Sequence, residues 1–275
     1  AADGATLAAT VFSPAKHNGR VIIINSAIGI WRRFYSKFAS YLSDCGFVVL
    51  TYDYRGIGDS VSAAKNFRDT RMRHWGEYDI AGAIDWALDR KPAKIFVVGH
   101  SAGAQLLGLA HNNANVAALL GIAAPLPYPK LWPRTQRFYL RGLWYLFIPV
   151  LARTLGFFPG RLFGLGTHLP GGVTLEWAQW GRDPRYIRGK DAPESARHFP
   201  NFTGLFRSYA FTDDIFATPR SVRALMELYD GAEHQLREVR PSDVGQRHIG
   251  HTGFFTEKFR DSLWKETADW LASVS

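Results

Sequence analysis

Residues 94–110, KIFVVGHSAGAQLLGLA, decide how the rest of the chain is read. Ile95, Phe96, Val97 and Val98 form a short, bounded apolar run, the mark of a parallel strand buried on both faces. Gly99-His100-Ser101-Ala102-Gly103 follows at once, and residues 104–110 have helical composition. A G-x-S-x-G between a strand and a helix makes the chain reverse within a few residues. The reversal strains the backbone at Ser101 and crowds its neighbours, and Gly99 and Gly103 carry no Cβ to collide there. Ser101 is therefore expected at the carboxyl edge of a sheet. Its hydroxyl would lie near helix-terminal N–H groups that favour developing negative charge.

Outward from this stretch the chain alternates strand and helix. Residues 6–12 read as an outer strand, Arg20–Asn25 as a fully buried one and residues 46–52 as a third. An aromatic helix through Phe34, Tyr35, Phe38 and Tyr41 lies between the second and third. Residues 75–90 form a helix with Ile80, Ile84 and Leu88 on one stripe. Val116–Ile122 is another apolar strand. This alternation predicts an α/β fold, a mostly parallel, doubly wound sheet covered on both faces.

The pattern breaks over residues 126–202, which are rich in Pro, Gly, Trp and Arg and contain no obvious strand. Their apolar centre, residues 143–152, is flanked by Arg141 and Arg153 and is too short for a bilayer, which needs about 20 apolar residues. The region reads as a mostly helical cap inserted into a core made of residues 1–125 and 203–275. The core pattern resumes with a strand at Leu205–Phe211. A helix opened by Thr218-Pro219, a strand at 235–239, a glycine loop around His251 and a closing helix over 254–272 complete it.

A serine nucleophile needs a base, and the base needs an acid to hold its tautomer. The chain supplies both downstream. Asp213 and Asp214 follow a strand, and His251 follows the last one. The order Ser, Asp, His is that of one class of triad enzymes. Adjacent aspartates near a strand end point different ways, so one serves and the other caps the next helix or faces water. An oxyanion hole needs two N–H donors. Ala102, the residue after the nucleophile, is one. The second comes from the turn after Arg20–Asn25, where Ile28 is chosen and Ala27 is the alternative.

Composition narrows the remaining classes. The 275 residues are 47% hydrophobic and 21% charged, which suits one sizeable ordered domain with an insertion. Cys45 is the sole cysteine, so no intrachain disulfide forms; it reads as a small core residue in a cytoplasmic protein. Residues 1–10 lack the pattern of a signal peptide. The net charge of +9 reads first as a soluble basic surface, and secondly as attraction to anionic substrates or membrane surfaces. The scattered Lys and Arg make no nucleic-acid reader. Gly56-x-Gly58 does not continue into a dinucleotide fingerprint, and no phosphate loop exists, so no cofactor is expected. His248 and His251 lack the partners of a metal site. His100 is expected to pack or hydrogen-bond. Trp132, Trp144, Trp177 and Trp180 line a pocket or fill the cap.

Over essentially its whole length the chain resembles the α/β-hydrolase superfamily. The motifs are GHSAG at 99–103, DYRGIGDS at 53–60 and GHTGFF at 250–255. With SAIG at 26–29, FTDD at 211–214 and LPGGVTLEWAQW at 169–180, the chain is similar to a group of predicted bacterial serine hydrolases of undefined substrate. Ser26-Ala27-Ile28-Gly29 stands where the family has a His-Gly pair, and backbone donation survives that change. The resemblance implies an α/β-hydrolase fold and a structural role for DYRGIGDS near the pocket mouth. It also implies that the acid lies a few residues before a helix-opening proline, which favours Asp214 before Pro219. The activity implied is cleavage of a carboxylic ester through Ser101, Asp214 and His251, and the aromatic and aliphatic composition of residues 126–202 adds an expected preference for small-molecule esters with apolar groups. A thioester or amide is compatible with the same residues. Acyl transfer on the same triad, or non-catalytic ligand binding on the same fold, are the alternatives.

Overall fold

The computed structural model describes residues 1–64 and 66–274. Its seven-stranded sheet is built from β1 (Ala9–Phe12), β2 (Arg20–Asn25), β3 (Val48–Tyr52), β4 (Lys94–His100), β5 (Val116–Ile122), β8 (Leu205–Phe211) and β9 (Glu233–Val239). The order is β1-β3-β2-β4-β5-β8-β9. β1 alone runs antiparallel, against β3. Val21 to Ile24 of β2 and Ile95 to Val98 of β4 are buried, as their uninterrupted apolar runs require. Each such side chain contributes about 1.5–3 kcal/mol on leaving water.

Helices cover both faces. They are α1 (Ser36–Asp44), α2 (Met72–His74) continuing through a π turn into α3 (Ala81–Leu88), α4 (Ala102–Gln105), α8 (Pro219–Met226) and α9 (Lys265–Ser273). Between β5 and β8 the chain inserts α5 (Arg134–Gly142), α6 (Ile148–Leu155) and α7 (Gly171–Gly181). A small antiparallel ribbon, β6 (Phe157–Phe158) with β7 (Leu169–Pro170), lies among them.

The topology locates a crevice. From β2 the chain moves outward to β3, then returns to β4 on the other side of β2. Loops leaving the carboxyl ends of β2 and β4 therefore diverge, and such a switch point is where open α/β sheets hold ligands. The register is close: Asn25, the last residue of β2, pairs with Gly99. The Ser26–Gly29 turn and the Ser101 turn thus leave the sheet side by side.

Several local expectations change. The strand expected over 6–12 is paired only from Ala9, because β3 ends opposite it at Tyr52. The helix expected over 104–110 is the four-residue α4 followed by a 3-10 turn, Leu107–Leu109. Gly108 is pressed against the Phe199 ring, where a Cβ would come within 2.5 Å. The closing helix is regular only over α9 and is preceded by 3-10 and π turns. The insertion contains the β6–β7 ribbon, where no strand was expected. Cys45 is exposed at the end of α1 and is not a core residue.

DYRGIGDS is structural, as the resemblance implies. The Asp53 carboxylate accepts from the amides of Arg32 at 2.7 Å and Asp59 at 3.0 Å, and pairs with the Arg32 guanidinium. Gly58 has φ +52°, and a Cβ there would lie 2.6 Å from the Asp53 carboxylate, so only glycine closes this loop. Arg55 is held by Asp79 and Asp3. None of residues 53–60 lines the cavity at the carboxyl ends of β2 and β4; Gly56 abuts Pro170 of the insertion instead.

Candidate active site

The turn after β4 has the strain its sequence implies. Ser101 sits at φ +50°, ψ −113°, a conformation that costs a non-glycine residue on the order of 1–3 kcal/mol. Its surroundings hold it there. A Cβ on Gly99 would lie 2.4 Å from the Ala104 amide nitrogen, and one on Gly103 would lie 2.2 Å from the Asn25 carbonyl oxygen. Asn25 Nδ2 donates to the Gly103 carbonyl at 3.2 Å, and Tyr52 donates its hydroxyl to Asn25 Oδ1 at 2.7 Å. The turn is clamped to β2.

His251 lies on the loop after β9 and its 3-10 turn. Its Nδ1 is 2.8 Å from Asp214 Oδ2. A carboxylate only accepts, so Nδ1 carries the proton of this bond. The other oxygen, Asp214 Oδ1, accepts from the amides of Phe216 at 2.7 Å and Ala217 at 3.1 Å, and the carboxylate is buried. Asp213 points elsewhere. Its Oδ2 accepts from the amides of Ile249 at 2.9 Å and Gly250 at 3.1 Å, and is 2.7 Å from His248 Nδ1. Asp213 therefore neither caps α8 nor simply faces water; the cap of α8 is the Thr218 side chain. The pair of aspartates divides its labour between the imidazole and the loop that carries it.

The two amides of the turn after β2 differ in their partners. The Ala27 amide donates to the Tyr35 hydroxyl at 2.8 Å and is occupied. The amides of Ile28 and Ala102 have no partner among the described residues, and both residues line the same cavity as Ser101. Tyr35 is a residue whose part the sequence left unread, being one aromatic among several in a helix. His100 is fully buried, and burial holds its pKa well below the usual histidine range. Its Nε2 donates to the His251 carbonyl at 2.9 Å, so Nδ1 accepts from the Tyr35 hydroxyl at 2.9 Å. His100 thus hydrogen-bonds, one of its two expected roles.

These groups open into a cavity of about 910 Å³. Ala27, Ile28, Ser101, Ala102, Asp214 and His251 lie on the sheet side. Trp132, Leu140, Leu143, Trp144, Phe163 and Trp177 from the insertion lie opposite. Trp180 belongs to the interior instead, packed against Tyr186. Ser101 Oγ makes no hydrogen bond with the chain among the described residues.

A switch-point crevice, a strained serine turn on the central strand and a histidine loop after the last strand define an α/β hydrolase. A sequence model of the alpha/beta hydrolase family matches residues 21–256, and the chain belongs to that family. Among solved structures it is similar to a soluble variant of monoglyceride lipase from Saccharomyces cerevisiae, with TM-score 0.69 and 17% identity over 99% of this chain and 93% of that one. It is also similar to monoacylglycerol lipase from Paleococcus ferrophilus, with TM-score 0.60 and 15% identity over 98% and 100% of the two chains. An esterase from Exiguobacterium antarcticum gives TM-score 0.61 and 16% identity over 99% and 98%. At these identities the likeness concerns the fold. No curated protein matches the chain.

Proposed function

We propose that this protein is a serine hydrolase that cleaves carboxylic esters through an acyl-enzyme, with Ser101, His251 and Asp214 as its triad. The observation that carries the reading is the His251–Asp214 bond of 2.8 Å in the cavity that also receives the strained Ser101. His251 Nε2 takes the Ser101 proton as Oγ attacks the ester carbonyl carbon. The carbonyl oxygen becomes an oxyanion and receives the amides of Ile28 and Ala102. His251 then returns the proton to the leaving alkoxide as the C–O bond breaks. Water repeats the sequence on the acyl-enzyme, giving up a proton to His251 while Ser101 Oγ departs and is reprotonated. Asp214 stabilises the imidazolium in both halves.

Residues 126–202 act as the cap of this site, covering Ser101 with aromatic and aliphatic side chains that exclude water and select apolar groups. The monoacylglycerol lipases and the esterase among the structural neighbours support an ester as substrate. The test is an active-site fluorophosphonate followed by peptide mapping, with Ser101→Ala as control. Covalent labelling confined to Ser101, with ester turnover falling about 10⁴-fold or more in Ser101→Ala, is expected. Folded protein that takes no label would favour a ligand-binding role for the same cavity.

A further inference from the structure

One side of the insertion is left uncovered. Residues 134–155 run as one continuous helix, α5, a π turn and α6 in succession. Its inner side closes the cavity through Leu140, Leu143 and Trp144. Its outer side exposes Phe138 by 75%, Tyr145 by 58%, Leu146 by 56% and Val150 by 49%. Leu162, 82% exposed, belongs to the next turn, which packs against this helix through the Phe147 and Phe163 rings. Single exposed apolar side chains need no explanation, but four of these five lie on one helix and the fifth on the turn packed against it.

The same surface is cationic. Residues 126–175 include Lys130, Arg134, Arg137, Arg141, Arg153 and Arg161 and not one Asp or Glu. Arg134, Arg137 and Arg141 share a helix face. With Lys130 and Arg182 they surround a cleft of about 430 Å³ whose wall includes Phe138 and Tyr145. None of these five cations forms an ion pair among the described residues. The Arg137 guanidinium is held by the carbonyls of Trp132 and Lys130, and that of Arg182 by the Trp144 carbonyl. Carbonyls fix the charged heads without neutralising them.

Arginines without acidic partners, interleaved with exposed Phe, Tyr and Leu, match the boundary of an anionic bilayer, where hydrocarbon meets phosphate. We infer that this face docks on an anionic lipid surface. Phe138, Leu146, Val150 and Leu162 enter the acyl boundary, and the cationic cleft takes lipid phosphates. A second copy of the chain fits less well, since a two-fold contact would set this cluster against itself. A nucleic acid would answer the charge and leave Leu146, Val150 and Leu162 in water. The helix lies on the surface and does not cross it. It carries Arg134, Arg137, Arg141 and Arg153, and no helix among the described residues is long and apolar enough to span a membrane. The docking is independent of the chemistry at Ser101.

The experiment is cosedimentation of the full chain with vesicles of phosphatidylcholine alone or mixed equally with phosphatidylglycerol, at low and high salt. Binding to the mixed vesicles is expected, weakened by salt. Arg134→Gln with Arg141→Gln and Arg153→Gln should weaken it by more than about 10-fold. Phe138→Ser with Leu146→Ser and Leu162→Ser should do the same, and Phe138→Ser alone should weaken it measurably. Thermal melting, unchanged at these exposed positions, certifies the fold. Absence of binding to the mixed vesicles overturns the inference, as does equal binding to phosphatidylcholine alone or binding indifferent to both sets of variants. A concentration-dependent dimer abolished by Phe138→Ser would overturn it in favour of a second copy. Salt-sensitive binding to duplex DNA without vesicle binding would assign the charge to nucleic acid.

Discussion

Tyr35 donates its hydroxyl hydrogen to His100 Nδ1 across 2.9 Å, both residues fully buried. The same oxygen accepts the Ala27 amide, and the far side of the imidazole reaches the His251 carbonyl. The turn after β2, the serine turn and the histidine loop are therefore joined by one hydrogen-bonded chain. Tyr35→Phe leaves a buried amide and a ring nitrogen unpaired, at about 1–3 kcal/mol each. The melting temperature should fall by several degrees, and kcat on an activated ester by about tenfold with KM little changed. Wild-type kcat with lowered stability alone would reduce the chain to a structural brace.

The two aspartates should separate cleanly in steady-state kinetics. Asp214→Asn removes the acceptor that fixes the His251 tautomer and should lower kcat by about 10⁴. Asp213→Asn retains an oxygen for the amides of Ile249 and Gly250, and its effect should stay within about tenfold. The reverse ranking would assign the acid to Asp213.

Acyl length probes the aromatic wall supplied by Trp132, Trp144 and Trp177. Each added CH₂ that is buried there contributes ~0.8 kcal/mol, or about fourfold. For p-nitrophenyl esters, kcat/KM should rise from acetate to at least butyrate. A flat or falling series would mean that the cavity admits the substrate without gripping its chain.

His74 should weaken stability in mild acid. Burial, followed by the charge of Arg73, lowers the pKa of His74 to about 4, and the Arg71 amide donates to its neutral Nδ1. Burial depresses His100 in the same direction. A histidine depressed on folding binds more protons when unfolded. Its contribution is complete above the unfolded value of 6.5 and is lost as pH drops towards the folded one. Burial acts oppositely on Asp79, whose pKa it raises to about 6, so the test is a difference: between pH 6.5 and 4 the melting temperature of the wild type should fall relative to that of His74→Gln. An unaltered slope in the variant would remove His74 from the acid response.

Much of this was legible because the physics was local. Gly99 and Gly103 are demanded by contacts within a few residues of Ser101 or with the adjacent strand, and Val21–Ile24 and Ile95–Val98 advertise burial on both faces by composition. Which of Asp213 and Asp214 meets His251 was not local. It depends on how the chain turns after Phe211 and on a loop almost forty residues on, so adjacency in sequence left two candidates. The Ala27 and Ile28 amides differ through Tyr35, whose helix reads as ordinary aromatic packing until the partner histidine is in place. The tryptophans of the insertion followed the same rule: Trp177 faces the cavity and Trp180 the interior, though both are apolar residues of α7. Cys45 was misread because a small apolar residue next to a helix end carries no periodicity to say which way it faces.

The loop beneath His251 keeps its shape by means that do not involve the imidazole. Its own carbonyl is held by His100, and the two preceding amides by Asp213. Deleting the ring, as in His251→Ala, should thus leave a mould with the outline of what was removed, still facing Asp214. Free imidazole diffusing into that mould would find its hydrogen-bond acceptor waiting, and activity lost in the variant should return in proportion to the imidazole added. The fold, in this sense, stores the position of the imidazole separately from the imidazole itself.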